Sequence, residues 1–399
     1  MKSIKIVSSY SDSCGNAYFT KVLEGDLRRQ GFDASCAELN LDLTQSIERG
    51  LRRKADKHIS ELCTDLSNAN GVNIQLETGL FGTYPSDTRR RVEQMLEANK
   101  NTSITLHSPR ITGNAAVQRN ALKSAIRGNF GIAFKEWLSY KESSISVNLN
   151  RDLIKSITRK KLPIIAHTER AKNQIRLMFD YENVVVHPLK FVPAGSSIDY
   201  GKLQLLRARF ELNKTDTVIG MFGYINEYKG HALALEALKK LPDNYKLMIF
   251  GRIHPQTIKT GQRIHPYLEH LARIIKTEKL SSRVFFIGEQ STNDFIDYAA
   301  TVDVVWLPYI EVGQDGSGIA SICCDVSQRV LASSSFAFDE LFKLIPYESI
   351  ERFDIGNAIE LAAKTRFPGK TVPPSAIANL RFTTTTQAQL YANCLGLSA

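Results

Sequence analysis

Long apolar runs are missing from this 399-residue sequence, and none reaches the roughly 18 residues that a membrane-spanning helix needs. The chain starts with an apolar stretch of only about five residues, which is too short for the apolar core of a signal peptide. We therefore expect a cytoplasmic protein, with association at the inner face of a membrane as the alternative.

Patterned cysteines are also missing. The six cysteines show neither CxxC nor Cys/His spacing, which argues against a disulfide framework and a zinc site. No GxGxxG sequence marks a dinucleotide site, and no Ser/His/Asp order or pair of carboxylates suggests hydrolysis.

Excess acidic charge is absent too, since the net charge is +10 and most of it lies in the first half. Residues 1–200 hold 29 Lys and Arg against 21 Asp and Glu, and residues 201–399 hold 22 against 20. The densest basic segments are 52–57 and 89–91. They are either a solvated helix face or a patch for an anionic membrane surface or a lipid diphosphate. Nucleic acid is not an expected partner, because no stacking aromatics are interleaved.

What the sequence does contain is a repeated alternation of short apolar runs with helical patterns. Such alternation predicts an α/β fold of parallel sheets covered by helices on both faces. Two series of runs predict two doubly wound, Rossmann-like domains. The predicted strands are Ile4–Ser8, Phe32–Ala37, Gly71–Leu76, Ser103–His107, Leu162–Ala166, Asn183–Val186, Thr217–Phe222, Lys246–Phe250, Val284–Ile287, Val302–Leu307 and Arg329–Ala332.

The predicted domain limits are 1–195 for an N-terminal domain and 196–382 for a C-terminal domain, with a terminal helix in 383–399. The first boundary is placed in a PAGSS stretch that follows the last predicted strand of the first half. Ligands of doubly wound sheets bind beyond the carboxyl ends of the strands, so we expect the site where two such domains face each other.

Three loops follow predicted strands and open predicted helices. SYSDSCGN (residues 9–16) and FGYINEYKG (residues 222–230) suit an anion, the second because it places Lys229 between glycines. In LPYIEVGQDGSG (residues 307–318), an acidic residue and Gly-Ser-Gly combine a carboxylate for sugar hydroxyls with a helix N-terminus for phosphate. His107 ends a predicted strand, and both a catalytic and a structural role fit it. For His167 and His187 a structural role is favoured.

Taken together, these segments resemble the retaining glycosyltransferases of the GT-B fold, specifically glycosyltransferase family 4. The resemblance covers essentially the whole chain and is most specific over residues 217–341, from FGYINEYKG through the GQDGSG turn to SSSFAFDEL. In the first half, GVNIQLETGLFG followed by SITLHSP is similar to the acceptor side of bacterial members that build surface polysaccharides. The final helix is similar to the terminal helix that crosses back onto the first domain.

The resemblance implies a role for individual residues. It implies that Lys229 holds the donor diphosphate and that His107 contacts the donor sugar near the reaction centre. The implied catalytic residues are His107, Lys229 and Asp315. The implied donor-binding residues are Gly15, Asn16, Asn226, Gly251, Arg252, Ile287, Gly288, Glu311, Gly316, Ser317 and Gly318. The implied acceptor-side residues are Gln75 and Glu77.

The sequence departs from the family pattern near the glycine turn. Family members usually carry two glutamates with seven residues between them, and here the positions hold Asp315 and Cys323. The second glutamate normally binds the nucleotide ribose, and Asp325 or Glu311 are candidates to replace it. A basic residue shortly before the Lys-Gly pair is missing as well.

The resemblance implies transfer of a hexose from a nucleotide sugar, GDP- or UDP-linked, to a glycan or lipid-linked acceptor with retention of configuration. It also implies no obligatory metal and no cofactor, since the nucleotide sugar is a substrate. Mannose is slightly favoured, and surface polysaccharide or glycolipid synthesis is the expected context. Two alternatives remain open: a degenerate glycosyltransferase that serves as a binding subunit, and a two-lobed small-molecule binding protein.

Overall fold

Two six-stranded parallel sheets organise the chain, each in a unit of its own. The structure is a computed structural model that describes residues 1–11, 15–107, 109–112, 130–193, 195–253, 264–310, 316–344, 350–369 and 382–398. Unit 1 comprises Met1–His187 and Thr385–Ala399, and unit 2 comprises Pro188–Thr384. The predicted boundaries, 195/196 and 382/383, lie eight and two residues from these divisions.

The sheet of unit 1 has the strand order β2-β1-β3-β4-β5-β6, with every neighbouring pair parallel. Its strands are β1 (Ser3–Ser8), β2 (Asp33–Glu38), β3 (Gly71–Leu76), β4 (Thr102–Leu106), β5 (Ile164–Ala166) and β6 (Val184–Val186). All residues of β3, β4 and β5 are buried, because helices cover both faces of a parallel sheet.

The helices of unit 1 are α1 (Gly15–Arg29), α2 (Leu41–Thr44), α3 (Arg49–Ser67), α4 (Thr78–Phe81), α5 (Pro85–Ala98), α6 (Phe130–Arg159) and α7 (Glu169–Phe179). The chain leaves the helical conformation between α2 and α3. Asn40 caps α2, and the Ser46 hydroxyl accepts a hydrogen bond from the Glu48 amide at 3.1 Å. That local bond satisfies the backbone in a non-helical turn.

The sheet of unit 2 has the strand order β12-β11-β10-β7-β8-β9 and is also fully parallel. Its strands are β7 (Thr217–Phe222), β8 (Tyr245–Phe250), β9 (Val284–Gly288), β10 (Val304–Leu307), β11 (Val330–Ser333) and β12 (Ile350–Phe353). Its helices are α8 (Lys202–Arg209), α9 (His231–Lys239), α10 (Pro266–Thr277), α11 (Thr292–Thr301), α12 (Gly318–Val326), α13 (Asp339–Leu344) and α14 (Ala358–Arg366).

A last helix, α15 (Thr384–Cys394), packs within unit 1. Tyr391 of this helix is 1% exposed, and its hydroxyl accepts a hydrogen bond from Thr105 of β4 at 3.0 Å. At the start of β3, a Cβ on Gly71 would lie 2.9 Å from a methyl carbon of Leu395. Helix α15 therefore covers one face of the unit 1 sheet and touches its polar residues.

The basic segments of unit 1 are largely engaged in ion pairs. Arg52 contacts Asp87 at 2.6 Å, and Arg90 and Arg91 each contact Asp56 at 2.7 Å. Arg91 is 1% exposed, so it ties α5 to α3 rather than facing solvent. Among the helices described, none is long and apolar enough to cross a membrane.

Candidate functional site

Lys229 of unit 2 is held at the end of a one-turn 3₁₀ helix, Glu227–Lys229, between β7 and α9. The next residue, Gly230, has φ +74°, and a Cβ there would lie 1.9 Å from the carbonyl oxygen of Pro308. Only glycine fits this left-handed position pressed against backbone. The turn buries Lys229 to 5% exposure at the carboxyl end of β7.

The ammonium of Lys229 lies among aromatic groups. Its Nζ donates a hydrogen bond to the Tyr309 hydroxyl and lies 4.1 Å from the centre of the same ring. The ring centre of Tyr228 is 5.3 Å away. Burial lowers the pKa of Lys229 to about 7, because the charged ammonium loses its water. An anion placed beside it would favour the charged form.

The start of α12 meets the same tyrosine. Ser317 is the N-cap of α12, and its hydroxyl accepts a hydrogen bond from the Ala320 amide at 3.2 Å. The Ser317 hydroxyl also lies 3.0 Å from the Tyr309 hydroxyl, so one phenol joins the lysine to the helix N-terminus. Gly316 and Gly318 flank the cap, and a Cβ on Gly318 would meet the Phe191 ring at 2.7 Å. The structure thus brings together Lys229 and the Gly-Ser-Gly segment.

Cys323 and Asp325 lie on α12, beyond that N-terminus. Cys323 is fully buried, and burial raises the pKa of its thiol to about 12, so the thiol is neutral. Asp325 is paired with Lys190. Burial raises the pKa of the Asp325 carboxyl, and Lys190 opposes that shift. Lys190 thus engages Oδ1 of Asp325, whereas Oδ2 is buried without a hydrogen-bond partner. The idea that Asp325 substitutes for a ribose-binding glutamate stays a prediction.

The other predicted donor-binding residues of unit 2 lie at strand ends. Asn226 precedes the 3₁₀ turn, and its carbonyl oxygen lies 3.3 Å from the imidazole Nδ1 of His231. Gly251 follows β8, and a Cβ there would lie 2.0 Å from the Gly223 carbonyl oxygen. The remaining three are Arg252, whose guanidinium is 3.0 Å from Glu289, and Ile287 and Gly288 at the end of β9. Glu311 and Asp315 lie outside the described residues.

His107 of unit 1 directly follows β4. Its Nε2 lies 2.6 Å from the Gln75 side-chain oxygen, and Phe19 of α1 packs against its ring at 5.3 Å between centroids. The His167 ring lies 5.0 Å away. Burial and the neighbouring His167 hold the pKa of His107 well below its usual range. His107 is therefore a neutral imidazole at physiological pH.

The other predicted site residues of unit 1 belong to two segments, β3 with the residue after it and the start of α1. Gln75 is completely buried in β3, whereas Glu77 lies just beyond β3 and is partly buried. Burial raises the pKa of Glu77, and Arg110 opposes that shift. Gly15 and Asn16 form the first turn of α1, one turn before Phe19. The buried position of Gln75 argues for a contact within the protein.

His167 is a polar group that sequence reasoning assigned to structure alone. Its Nδ1 lies 3.0 Å from the His187 carbonyl oxygen, which fits a structural role. Its Nε2 is buried without a hydrogen-bond partner, and burial lowers the His167 pKa to about 4. No sequence signal shows that this nitrogen is unpaired, because its surroundings depend on how three strand ends meet.

Metal ligands are sparse where the chain is described: no group of three or more His, Cys, Asp and Glu side chains there is placed to hold an ion. Positive charge at the site is supplied by Lys229 and by the N-terminal end of α12.

Comparison with known proteins places these features in context. Residues 204–322 match the family model "Glycosyl transferases group 1", a segment that contains both Lys229 and Ser317. A search of curated proteins found no relative. The similarity found by sequence therefore lies within the second half of the chain.

Solved structures extend the likeness to the whole chain. Anabaena HepE in complex with UDP-glucose has a TM-score of 0.64 at 14% identity, covering 99% of this chain and 100% of that one. Sucrose-phosphate synthase from Thermosynechococcus elongatus gives 0.68 at 13%, with the same coverage. WaaG, a glycosyltransferase involved in lipopolysaccharide biosynthesis, gives 0.52 at 13%, covering 98% and 95%. The chain thus has the GT-B fold of two Rossmann-like domains seen in these proteins, and its residues 204–322 are similar to group 1 glycosyltransferases.

Proposed function

We propose that this protein is a retaining glycosyltransferase that moves a hexosyl unit from a nucleoside diphosphate sugar to a hydroxyl of a glycan or lipid-linked acceptor. One observation carries the proposal. Within the segment that matches group 1 glycosyltransferases, a buried lysine ammonium and a helix N-terminus converge on the Tyr309 hydroxyl. That combination suits a diphosphate.

The chemistry requires such a group because negative charge develops on the departing diphosphate. As the bond from the anomeric carbon to the phosphate oxygen breaks, Lys229 and the amides that open α12 stabilise that charge. The surroundings of Lys229 exclude water, which strengthens the interaction. The neutral aromatic groups around Lys229 do not compensate its charge, so the ammonium remains available to the diphosphate.

Retention follows in this proposal from attack on the face that the diphosphate leaves. The acceptor oxygen bonds to the anomeric carbon, and its proton passes to the departing phosphate oxygen, so no protein nucleophile is needed. His107 contacts the donor sugar, and Asp315 or Glu311 holds its hydroxyls. Gly15 and Asn16 meet the donor phosphate or the acceptor. No metal ion is required, because Lys229 and the α12 N-terminus supply the positive charge.

The donor nucleotide is the first point to test. The solved complex of HepE contains UDP-glucose, which makes UDP-glucose the first donor to try. GDP-mannose, slightly favoured by the sequence resemblance, is the second. The structural likeness to WaaG supports acceptors of the surface-polysaccharide or glycolipid kind. The exposed residues Arg53 and Lys54 of α3 are candidates for contact with an anionic membrane surface.

The test is a transfer assay with purified protein, a panel of nucleotide sugars and hydroxyl acceptors. Lys229→Ala is expected to lower turnover by about 100-fold or more, the scale of losing one oxyanion donor. Lys214→Ala, which removes an exposed lysine of the same unit, is the matched control. Near-normal transfer by Lys229→Ala would refute the assignment, and an inverted anomeric configuration in the product would refute retention.

A second candidate is a degenerate glycosyltransferase that binds a nucleotide sugar as a subunit. Cys323 favours it, since a buried neutral thiol stands where related enzymes carry a ribose-binding glutamate. A two-lobed small-molecule binding protein is the remaining alternative. Transfer or donor hydrolysis by the purified protein eliminates both, whereas nucleotide binding without either reaction supports the subunit.

A further inference from the structure

A ladder of buried polar side chains links β3 and β4 in unit 1. Asn73 and Gln75 lie two positions apart in β3. They are paired in register with Ser103 and Thr105 of β4, respectively. Every second residue of a strand points to the same face of the sheet, so these four side chains lie on one side. All four are at most 1% exposed, and a buried polar group must find its partner within the protein.

The ladder has a direction. The Asn73 amide nitrogen faces the Ser103 carbonyl oxygen at 3.4 Å and the Ser103 hydroxyl at 3.0 Å. A carbonyl oxygen only accepts, which places the Asn73 side-chain oxygen on the other side, 2.5 Å from the Gln75 nitrogen. The Gln75 oxygen is thereby turned towards His107, with its Nε2 at 2.6 Å.

We infer that Gln75 is a positioning residue that holds His107 as the Nε2–H tautomer and leaves Nδ1 as a hydrogen-bond acceptor. An amide oxygen carries no proton, so the shared proton belongs to the imidazole Nε2. Gln75 therefore acts on the ligand through His107. Its sequence-based assignment to the acceptor side stays a prediction.

The tautomer of His107 also bears on which sugar can bind, and this step rests on the proposed function. A neutral imidazole that offers only a lone pair accepts a hydrogen bond from a sugar hydroxyl. A carboxylate at the same place has no proton to give and would meet that lone pair with its own negative charge. The site is therefore suited to a neutral hexose and rejects a uronic acid.

The groups around His107 fit a neutral ring. Among the described residues, His167 after β5 lies against the His107 ring, and Tyr391 of α15 contacts Thr105 and Gln75, the second of which contacts His107. His167 is itself neutral, because burial lowers its pKa to about 4. No described carboxylate among these contacts would stabilise an imidazolium.

The direct test is nitrogen-15 NMR of the full-length protein with labelled histidine, in which the two ring nitrogens report the tautomer. The His107 signals are assigned by their loss in His107→Asn. At pH 7 we expect Nε2 protonated and Nδ1 unprotonated. An Nδ1–H tautomer, an averaged mixture or an imidazolium would overturn the inference, and this wild-type measurement needs no other variant to fold.

A charge swap provides the second test. Gln75→Glu puts a carboxylate against Nε2 and is expected to raise the titration midpoint of His107 by about 1–3 pH units. Gln94→Glu adds the same charge on the exposed face of α5 and is expected to leave the midpoint unchanged. A folded Gln75→Glu protein with an unshifted His107 midpoint contradicts the inference.

The same variants separate this inference from the proposed function. If His107 shows the Nε2–H tautomer but no donor is turned over, the positioning role stands and the glycosyltransferase assignment fails. If transfer occurs, Gln75→Glu is expected to reduce kcat in a pH-dependent manner and to narrow the preference for a glucosyl over a glucuronosyl donor. A pH-independent rise in KM with unchanged kcat would instead point to a structural defect and overturn the positioning role.

Discussion

Lys229 is the residue whose environment departs furthest from what a lysine ordinarily requires. It is 5% exposed, its hydrogen-bond partner is a neutral phenol, and two aromatic rings lie near its charge. Cation–π contacts return part of the lost hydration, on the order of 1–2 kcal/mol. The remainder is a destabilisation of the folded protein that a bound diphosphate would relieve. Function therefore accounts for a residue that stability alone would not favour.

The stability of the folded protein is expected to depend on pH through Lys229. The folded pKa of Lys229, about 7, lies below its ordinary value of 10.5, so the unfolded chain binds more protons between these two pH values. The free energy of unfolding due to this residue rises from pH 7 to about 10.5, and below pH 7 the full cost of the buried charge is present. Lys229→Met removes that cost and is expected to stabilise the protein at pH 6.

The measurement is urea unfolding of wild type and Lys229→Met at several pH values. The advantage of the variant is up to about 5 kcal/mol at pH 6, since each pKa unit corresponds to 1.36 kcal/mol. It should shrink steadily as the pH approaches 10. A stability difference that stays constant with pH would show that the lysine is solvated, and the proposed site would lose its main electrostatic feature.

At the scale of elements, the turn that carries the lysine depends on one glycine. Gly230→Ala adds a Cβ 1.9 Å from the Pro308 oxygen at φ +74°. Gly356 is the matched control, with φ +80° and open space around its Cβ position. The backbone conformation alone costs about 1 kcal/mol in each variant, and the clash adds about 1–3 kcal/mol in Gly230→Ala. Chemical denaturation of both variants measures the difference, and equal losses would show that the contact with Pro308 yields easily.

Most elements could be predicted from the sequence because parallel strands buried on both faces are continuous apolar runs. The start and end of β3, β7 and β8 lie within one residue of the expected positions. The strand β12 was not expected, since its segment IERF alternates apolar and charged residues at the edge of the sheet. Edge strands contact one neighbour only, so their pattern is weak and short.

The contacts of the site were less predictable than its residues. The lysine and the Gly-Ser-Gly segment could be picked out because glycines beside a charge at a strand end indicate close backbone approach. Tyr309 could not, since its hydroxyl meets residues 80 positions earlier and 8 positions later in the chain. The direction of the Asn73–Gln75–His107 ladder is equally a property of strand register, and a single sequence does not encode register in a readable way.

For the whole molecule, the two units are built alike but carry different polar interiors. Unit 1 holds an uncharged ladder that ends at a neutral imidazole, and unit 2 holds a buried cation beside a helix N-terminus. The first suits sugar hydroxyls and the second suits a diphosphate. Each unit considered by itself therefore has polar groups that match one part of the proposed nucleotide-sugar donor.

A ligand that binds only the folded state stabilises it by mass action, so nucleotide should raise the melting temperature of unit 2. At a free concentration of 100 times Kd the gain is about 2.7 kcal/mol. For a unit of this size that corresponds to a shift of about 5–10 °C. UDP and GDP are the probes, and the nucleotide of the true donor should act at the lower concentration. The matching monophosphate should act more weakly, because it lacks the second phosphate that Lys229 is proposed to hold.

The same melting experiment tests whether the protein itself supplies the positive charge. With EDTA present, the shift caused by the diphosphate should persist, since Lys229 and the α12 N-terminus replace a metal ion in this proposal. In Lys229→Met the shift should fall to that of the monophosphate, while Lys214→Ala should keep the full value. A shift that vanishes in EDTA would assign the diphosphate to a metal ion instead, and one that is unchanged in Lys229→Met would move the phosphate away from the lysine.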